Sequence, residues 1–87
     1  MITKNNLTKN SKEPFSSYDM GCCAALVALG YRLLKVDKGQ GFKALFLFEW
    51  SEELVEAAQQ YWSDDLQVSA LSYFNALKNV KNRLHSS

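Results

Sequence analysis

Histidine and cysteine are nearly missing from this chain, and each scarcity removes a class of chemistry. The only histidine, His85, stands third from the C-terminal end, where fraying is expected. It therefore makes a poor base or metal ligand and is read as a solvated tail residue. The two cysteines, Cys22 and Cys23, are neighbours. A bridge between them would strain disulfide and peptide geometry alike, so both are read as free thiols in a reducing compartment. No CxxC or Cys/His spacing suggests zinc. Long apolar runs are absent too, so no bilayer-spanning segment is expected. The polar stretch Met1–Glu13 lacks the apolar centre of a secretion signal, and the default expectation is a cytoplasmic protein. Net charge is only +1, with a pI near 7.7, far below the range of strongly basic nucleic-acid binders.

What is present is a globular composition in a short chain. At 87 residues there is room for one domain. Aromatic and aliphatic residues suffice for a core, although a chain this small buries a modest share of its surface. Residues 1–13 carry Lys, Asn, Thr and Ser around only two larger apolar side chains, Ile2 and Leu7. Such a composition cannot offset the entropy of ordering, so they are expected to form a flexible leader to a domain over 14–87.

The hydrophobic periodicity predicts a first helix over 17–29, with Ser16 and Asp19 at capping-box spacing and Met20, Cys23, Ala24 and Val27 on one face. Gly30 fits the position after the helix, where a positive φ is needed. A hairpin follows, with strands over 31–37 and 42–50 and Lys38-Gly39-Gln40-Gly41 as its turn. Phe42, Ala44, Phe46 and Phe48 share one face of the second strand. Leu45 and Leu47 share the other with Lys43 and Glu49. Ser51 is expected to cap a second helix whose buried stripe is Leu54, Val55, Ala58, Tyr61 and Trp62. Ser69 is expected to cap a third, with Ala70, Tyr73, Phe74, Leu77, Val80 and Leu84 turned inward. Leu66 and Val68 anchor the linker between them. The fold class is α+β, in the order α-β-β-α-α, with an antiparallel hairpin packed against three helices.

The run Ala25-Leu26-Val27-Ala28-Leu29-Gly30-Tyr31, the strand Phe46-Leu47-Phe48-Glu49, the pair Tyr61-Trp62 and the helix Tyr73-Phe74-Asn75-Ala76-Leu77-Lys78, with Lys81-Asn82-Arg83-Leu84 trailing it, resemble one family. It is a set of short prokaryotic and phage-borne proteins known as a domain of unknown function. The similarity spans most of 15–84 and its motifs are structural. It implies the fold and a phage or mobile-element context, and it supplies no site residues.

No enzyme is expected. Cys22 and Cys23 sit in mid-helix among small residues, without the cationic neighbours that lower a thiol's pKa. Glu52 and Glu53 are adjacent, so they do not face each other, and they complement the helix dipole instead. Asp64 and Asp65 belong to a helix-breaking turn. Glu52 and Glu56 share a face but lack a third ligand, so neither a metal nor a cofactor is expected. The glycines of the turn do not feed a helix, which argues against a phosphate cradle.

Two surfaces remain. Arg32, Lys35, Lys38 and Lys43 on the hairpin could join Lys78, Lys81 and Arg83 on the last helix in a cationic stripe for nucleic acid, with Tyr61, Trp62 and Tyr73 as stacking platforms or, by their helical spacing, as core. Leu45 and Leu47, with the acidic Glu52, Glu53 and Glu56, form a candidate protein interface or homodimer contact, since a lone hairpin leaves free edges. The leading expectation is a small non-enzymatic interaction module. A nucleic-acid-binding accessory protein is the alternative, and a small-molecule groove between the first helix and the hairpin is a third class.

Overall fold

The computed structural model describes residues 13–39 and 43–86. Most of the expected leader (1–12), and Gln40, Gly41 and Phe42 of the hairpin, lie outside the described residues. The chain runs β1 (Phe15–Ser17), α1 (Met20–Ala28), β2 (Leu33–Asp37), β3 (Leu45–Phe48), α2 (Glu52–Trp62), α3 (Ala70–His85). It is a single α+β domain, but its sheet has three strands, in the order β1-β3-β2, all antiparallel. The expected two-stranded hairpin is thus incomplete. The segment after Pro14 pairs with β3, setting Phe15 opposite Phe48 with ring centroids 6.3 Å apart, edge to face. Three residues are too few for an alternating pattern to register in the sequence.

That extra strand moves the start of α1. Ser16 belongs to β1, and Asp19 is the N-cap, its carboxylate accepting the Cys22 N–H at 2.7 Å. The helix ends in a Schellman motif: Gly30 N–H donates to Val27 O and Tyr31 N–H to Leu26 O, with Gly30 at φ +102°. The single expected apolar face is also corrected. Cys22, Cys23, Ala24, Ala25 and Leu26 are all buried, so α1 is enclosed on every side as the central helix of the domain. Its small residues are what permit that enclosure.

A bulge reshapes β2. Leu33 pairs with Phe48 but Lys35 pairs with Leu47, leaving Leu34 as the extra residue. Leu33 and Val36 therefore face the core with Phe46 and Phe48, while Leu34 is turned out at 45% exposure. Arg32, which simple alternation would set beneath a helix with Leu34 and Val36, is exposed. The opposite sheet face carries Ser16, Lys35, Asp37, Leu45 and Leu47 and contributes nothing to the buried core.

Leu26, Phe46, Phe48, Leu54 and Val80 are the large fully buried side chains. Each contributes about 1.5–3 kcal/mol relative to an exposed position. Ser51 and Ser69 cap α2 and α3 as expected, accepting from Leu54 N–H and Ser72 N–H, and Glu52 and Glu53 occupy the first turn of α2. Two aromatics depart from the expected stripes. Trp62 is 63% exposed and Phe74 is 56% exposed. On α2 the buried line runs through Leu54, Ala57, Ala58 and Tyr61, and Trp62, one position further, is rotated about 100° off it. Phe74 stands likewise one position beyond the half-buried Tyr73.

Candidate functional site

The end of α2, the linker and the start of α3 enclose an open groove of about 530 Å³, lined by Ala25, Tyr61, Trp62, Asp64, Leu66, Val68, Ala70 and Tyr73. The linker takes this path because α2 stops abruptly. Asp64 N–H donates to Tyr61 O and Asp65 N–H to Gln60 O, a second Schellman motif, with Asp64 itself at φ +63°. Leu66 then packs against the core, and Ser69 caps α3.

One end of the groove is fixed by two tyrosine hydroxyls that converge on α1. Tyr73 Oη donates to the Gly21 carbonyl at 3.3 Å. A Cβ at position 21 would stand 2.6 Å from Tyr61 Oη, so glycine is what lets the hydroxyls approach the helix. Burial pushes the Tyr61 phenol up, and Tyr73, Asp19 and Cys22 reinforce the shift. Tyr61 and Trp62 meet edge to face, centroids 5.1 Å apart with ring planes at 86°.

The thiols are held away from reaction. Burial, followed by the Asp19 carboxylate, pushes Cys22 up to about 11. Burial and then Cys22 push Cys23 up to about 12, against a lowering hydrogen bond from Ser17. Both stay protonated near neutrality, which removes their nucleophilic form. Among the described residues no group of three His, Cys, Asp or Glu side chains converges as a metal site. No helix among them is long and apolar enough to cross a membrane.

Two of the cationic candidates hold the C-terminal end of α3 against the β2 segment. Arg83 Nη1 donates to the Leu33 carbonyl at 3.0 Å and Lys38 Nζ to the Ser86 carbonyl at 3.3 Å, so both tie α3 to β2. Lys78 and Arg83, five positions apart on α3, point about 140° away from each other. Lys78 Nζ lies 5.3 Å from the Phe74 ring centroid and Lys43 Nζ lies 6.0 Å from that of Tyr18. Lys35 is on the outer sheet face opposite Leu47, and Arg32 and Lys81 are exposed. On the candidate protein interface Leu45 and Leu47 are half-buried, and Glu52, Glu53 and Glu56 are exposed on α2. A smaller groove of about 440 Å³ lies between the start of α1 and β3, lined by Tyr18, Asp19, Met20, Lys43, Ala44, Phe46 and Leu84. That is where a small-molecule groove was expected.

Sequence reasoning weighed Tyr61, Trp62 and Tyr73 only as core or stacking residues and did not join them to Ala25, Asp64, Leu66, Val68 and Ala70. One signal was available: an Asp-Asp pair ends α2 where Gly or Asn is the usual choice.

A family model described as "Domain of unknown function (DUF5659)" matches residues 12–86. No curated protein and no solved structure matches the chain.

Proposed function

The chain belongs to the DUF5659 family, a domain of unknown function, and from that premise we propose that it is a small non-enzymatic module that docks a protein partner on the groove between α2 and α3. The carrying observation is Trp62, a large aromatic left 63% exposed on the rim of an apolar groove. Burying such a ring against a partner is strongly favourable, and Trp and Tyr dominate the binding energy of known interfaces. Leu71, 70% exposed, and Phe74 extend the apolar surface along α3. Exposed Glu52, Glu53 and Glu56 on α2 add a negative field that steers a basic partner. A prokaryotic or phage-borne setting, a cytoplasmic location and a homodimer through Leu45 and Leu47 belong to the same proposal.

A nucleic-acid-binding accessory role is the second reading, favoured by Lys78 over the exposed Phe74 ring, a cation and an aromatic side by side. It draws on Arg32, Lys35, Lys38, Lys43, Lys78, Lys81 and Arg83, of which Arg83 and Lys38 already serve internal hydrogen bonds. Panning a displayed peptide library on the chain, with Trp62→Ala as counter-target, separates the two. Docking on the groove predicts peptides enriched on the unsubstituted chain and depleted on W62A. Peptides that bind both alike, together with salt-sensitive anisotropy shifts of labelled single- or double-stranded oligonucleotides, would reverse the preference.

A further inference from the structure

Building on the reading of this groove as a docking surface, we propose that its occupant is a protein segment anchored by a cationic side chain, arginine ahead of lysine, held between the groove's aromatic rings and the Asp64 carboxylate. Three observations converge on a cation rather than an apolar anchor.

The first is the composition of the wall. Tyr61, Trp62 and Tyr73 line the groove together with Asp64. The Tyr61 and Trp62 planes stand at 86° to each other, so the two rings form walls of different orientation. Aromatic faces attract ammonium and guanidinium groups, and a planar guanidinium stacks on a ring while offering a fork of donors to a carboxylate. The chain's own cation–π contacts are Lys43 with Tyr18 and Lys78 with Phe74, which leaves the Tyr61, Trp62 and Tyr73 rings without a cation among the described residues.

The second is charge. Between Lys43 and Lys78 the sequence has no Lys or Arg, while Glu49, Glu52, Glu53, Glu56, Asp64 and Asp65 all fall in that interval. The elements that build most of the groove are therefore of one sign, and a basic segment is the complementary partner.

The third is Asp64 itself. It adopts φ +63°, a left-handed conformation that glycine or asparagine takes more cheaply. It also sets a negative charge at the negative end of the α2 dipole, with Asp65 beside it and no basic residue in the last turn to compensate. Glycine would avoid the backbone cost, and any neutral residue would avoid the charge at the helix end. Strain retained at a groove wall is the kind of outlier that function explains.

The test is a titration of the full chain, followed by ¹H–¹⁵N spectra, with blocked tripeptides at millimolar concentration: Gly-Arg-Gly, its neutral isostere Gly-citrulline-Gly, and Gly-Leu-Gly. The arginine peptide is expected to shift the Trp62 indole N–H and the Ala25 and Val68 amides, less so at high salt, and to bind about five-fold tighter than the citrulline peptide. Asp64→Asn is expected to remove most of that preference while the spectrum stays folded. If that variant is unstable, Asp64→Gly, which relieves the strained φ, carries the same expected loss. Equal binding of citrulline, or no groove shifts with arginine, overturns the proposal. Groove shifts with the leucine peptide alone would sink the cationic anchor and leave the docking surface standing. Loss of the docking surface itself is read separately, from panned peptides that ignore W62A.

Discussion

Asp64 and Gly21 are the two residues whose fit to the local backbone departs furthest from the general rule, one for the worse and one for the better. Glycine at position 64 removes the left-handed strain and the charge facing the α2 dipole, so Asp64→Gly is expected to stabilise the fold by about 1 kcal/mol. In thermal melts of a domain this size that is a rise of about 5 °C, and a fall would contradict the strain. Gly21 works in the opposite sense. Within a helix, alanine normally gains about 1 kcal/mol over glycine, but here the new Cβ meets Tyr61 Oη at 2.6 Å. Gly21→Ala is expected to be neutral or destabilising alone and stabilising in a Tyr61→Phe background, where the hydroxyl is gone. Urea midpoints of the four proteins in that cycle measure the reversal. Additive effects would show that the hydroxyl does not hold position 21.

At the scale of elements, the sequence spoke clearly wherever one residue type solves one backbone problem. Ser51 and Ser69 at helix starts, Glu52 and Glu53 in a first turn, and Gly30 after α1 were all readable for that reason. It was silent where the outcome depends on partners distant in sequence. Phe15–Ser17 becomes a strand only because β3 offers an edge. All-round burial of α1 depends on α2, α3 and the sheet closing over it, which no single face could reveal. The groove stayed hidden for a related reason: helical spacing sets Tyr61 and Trp62 on one broad stripe, and only the packing angle of α2 decides which ring is buried. The bulge at Leu34 slips the phase of β2 by one residue and hid the exposure of Arg32. It also yields a prediction. Leu34→Thr should change stability by less than about 0.5 kcal/mol, whereas Leu33→Ala, one position away and in the core, should destabilise by about 2–4 kcal/mol. A larger penalty at Leu34 than at Leu33 in denaturant unfolding would argue for a regular, unbulged strand.

The whole molecule is a thin domain, 18 Å across its shortest extent, and the groups whose ionisation the fold opposes gather at α1. Cys22 and Cys23 have folded-state values near 11 and 12 against a usual 9.0, and Tyr61 is raised from 10.0. Above pH 9 the unfolded chain therefore releases protons that the folded chain retains, and stability falls as pH rises from about 9 towards 12. The urea midpoint is expected to be level up to pH 8 and to drop by pH 10.5. In Cys22→Ala/Cys23→Ala that slope should flatten, whatever the double variant does to the midpoint itself. A midpoint independent of pH over this range would mean that the thiols are not buried as described.

With its thiols enclosed, the molecule presents surfaces, and among them the groove beside Trp62 combines aromatic walls, an acid and open access. The most direct measurement is calorimetric: the Kd of the tightest panned peptide for the unsubstituted chain and for Trp62→Ala, both folded by melt. A docking surface centred on that ring predicts a loss of at least about ten-fold, and identical constants would contradict it.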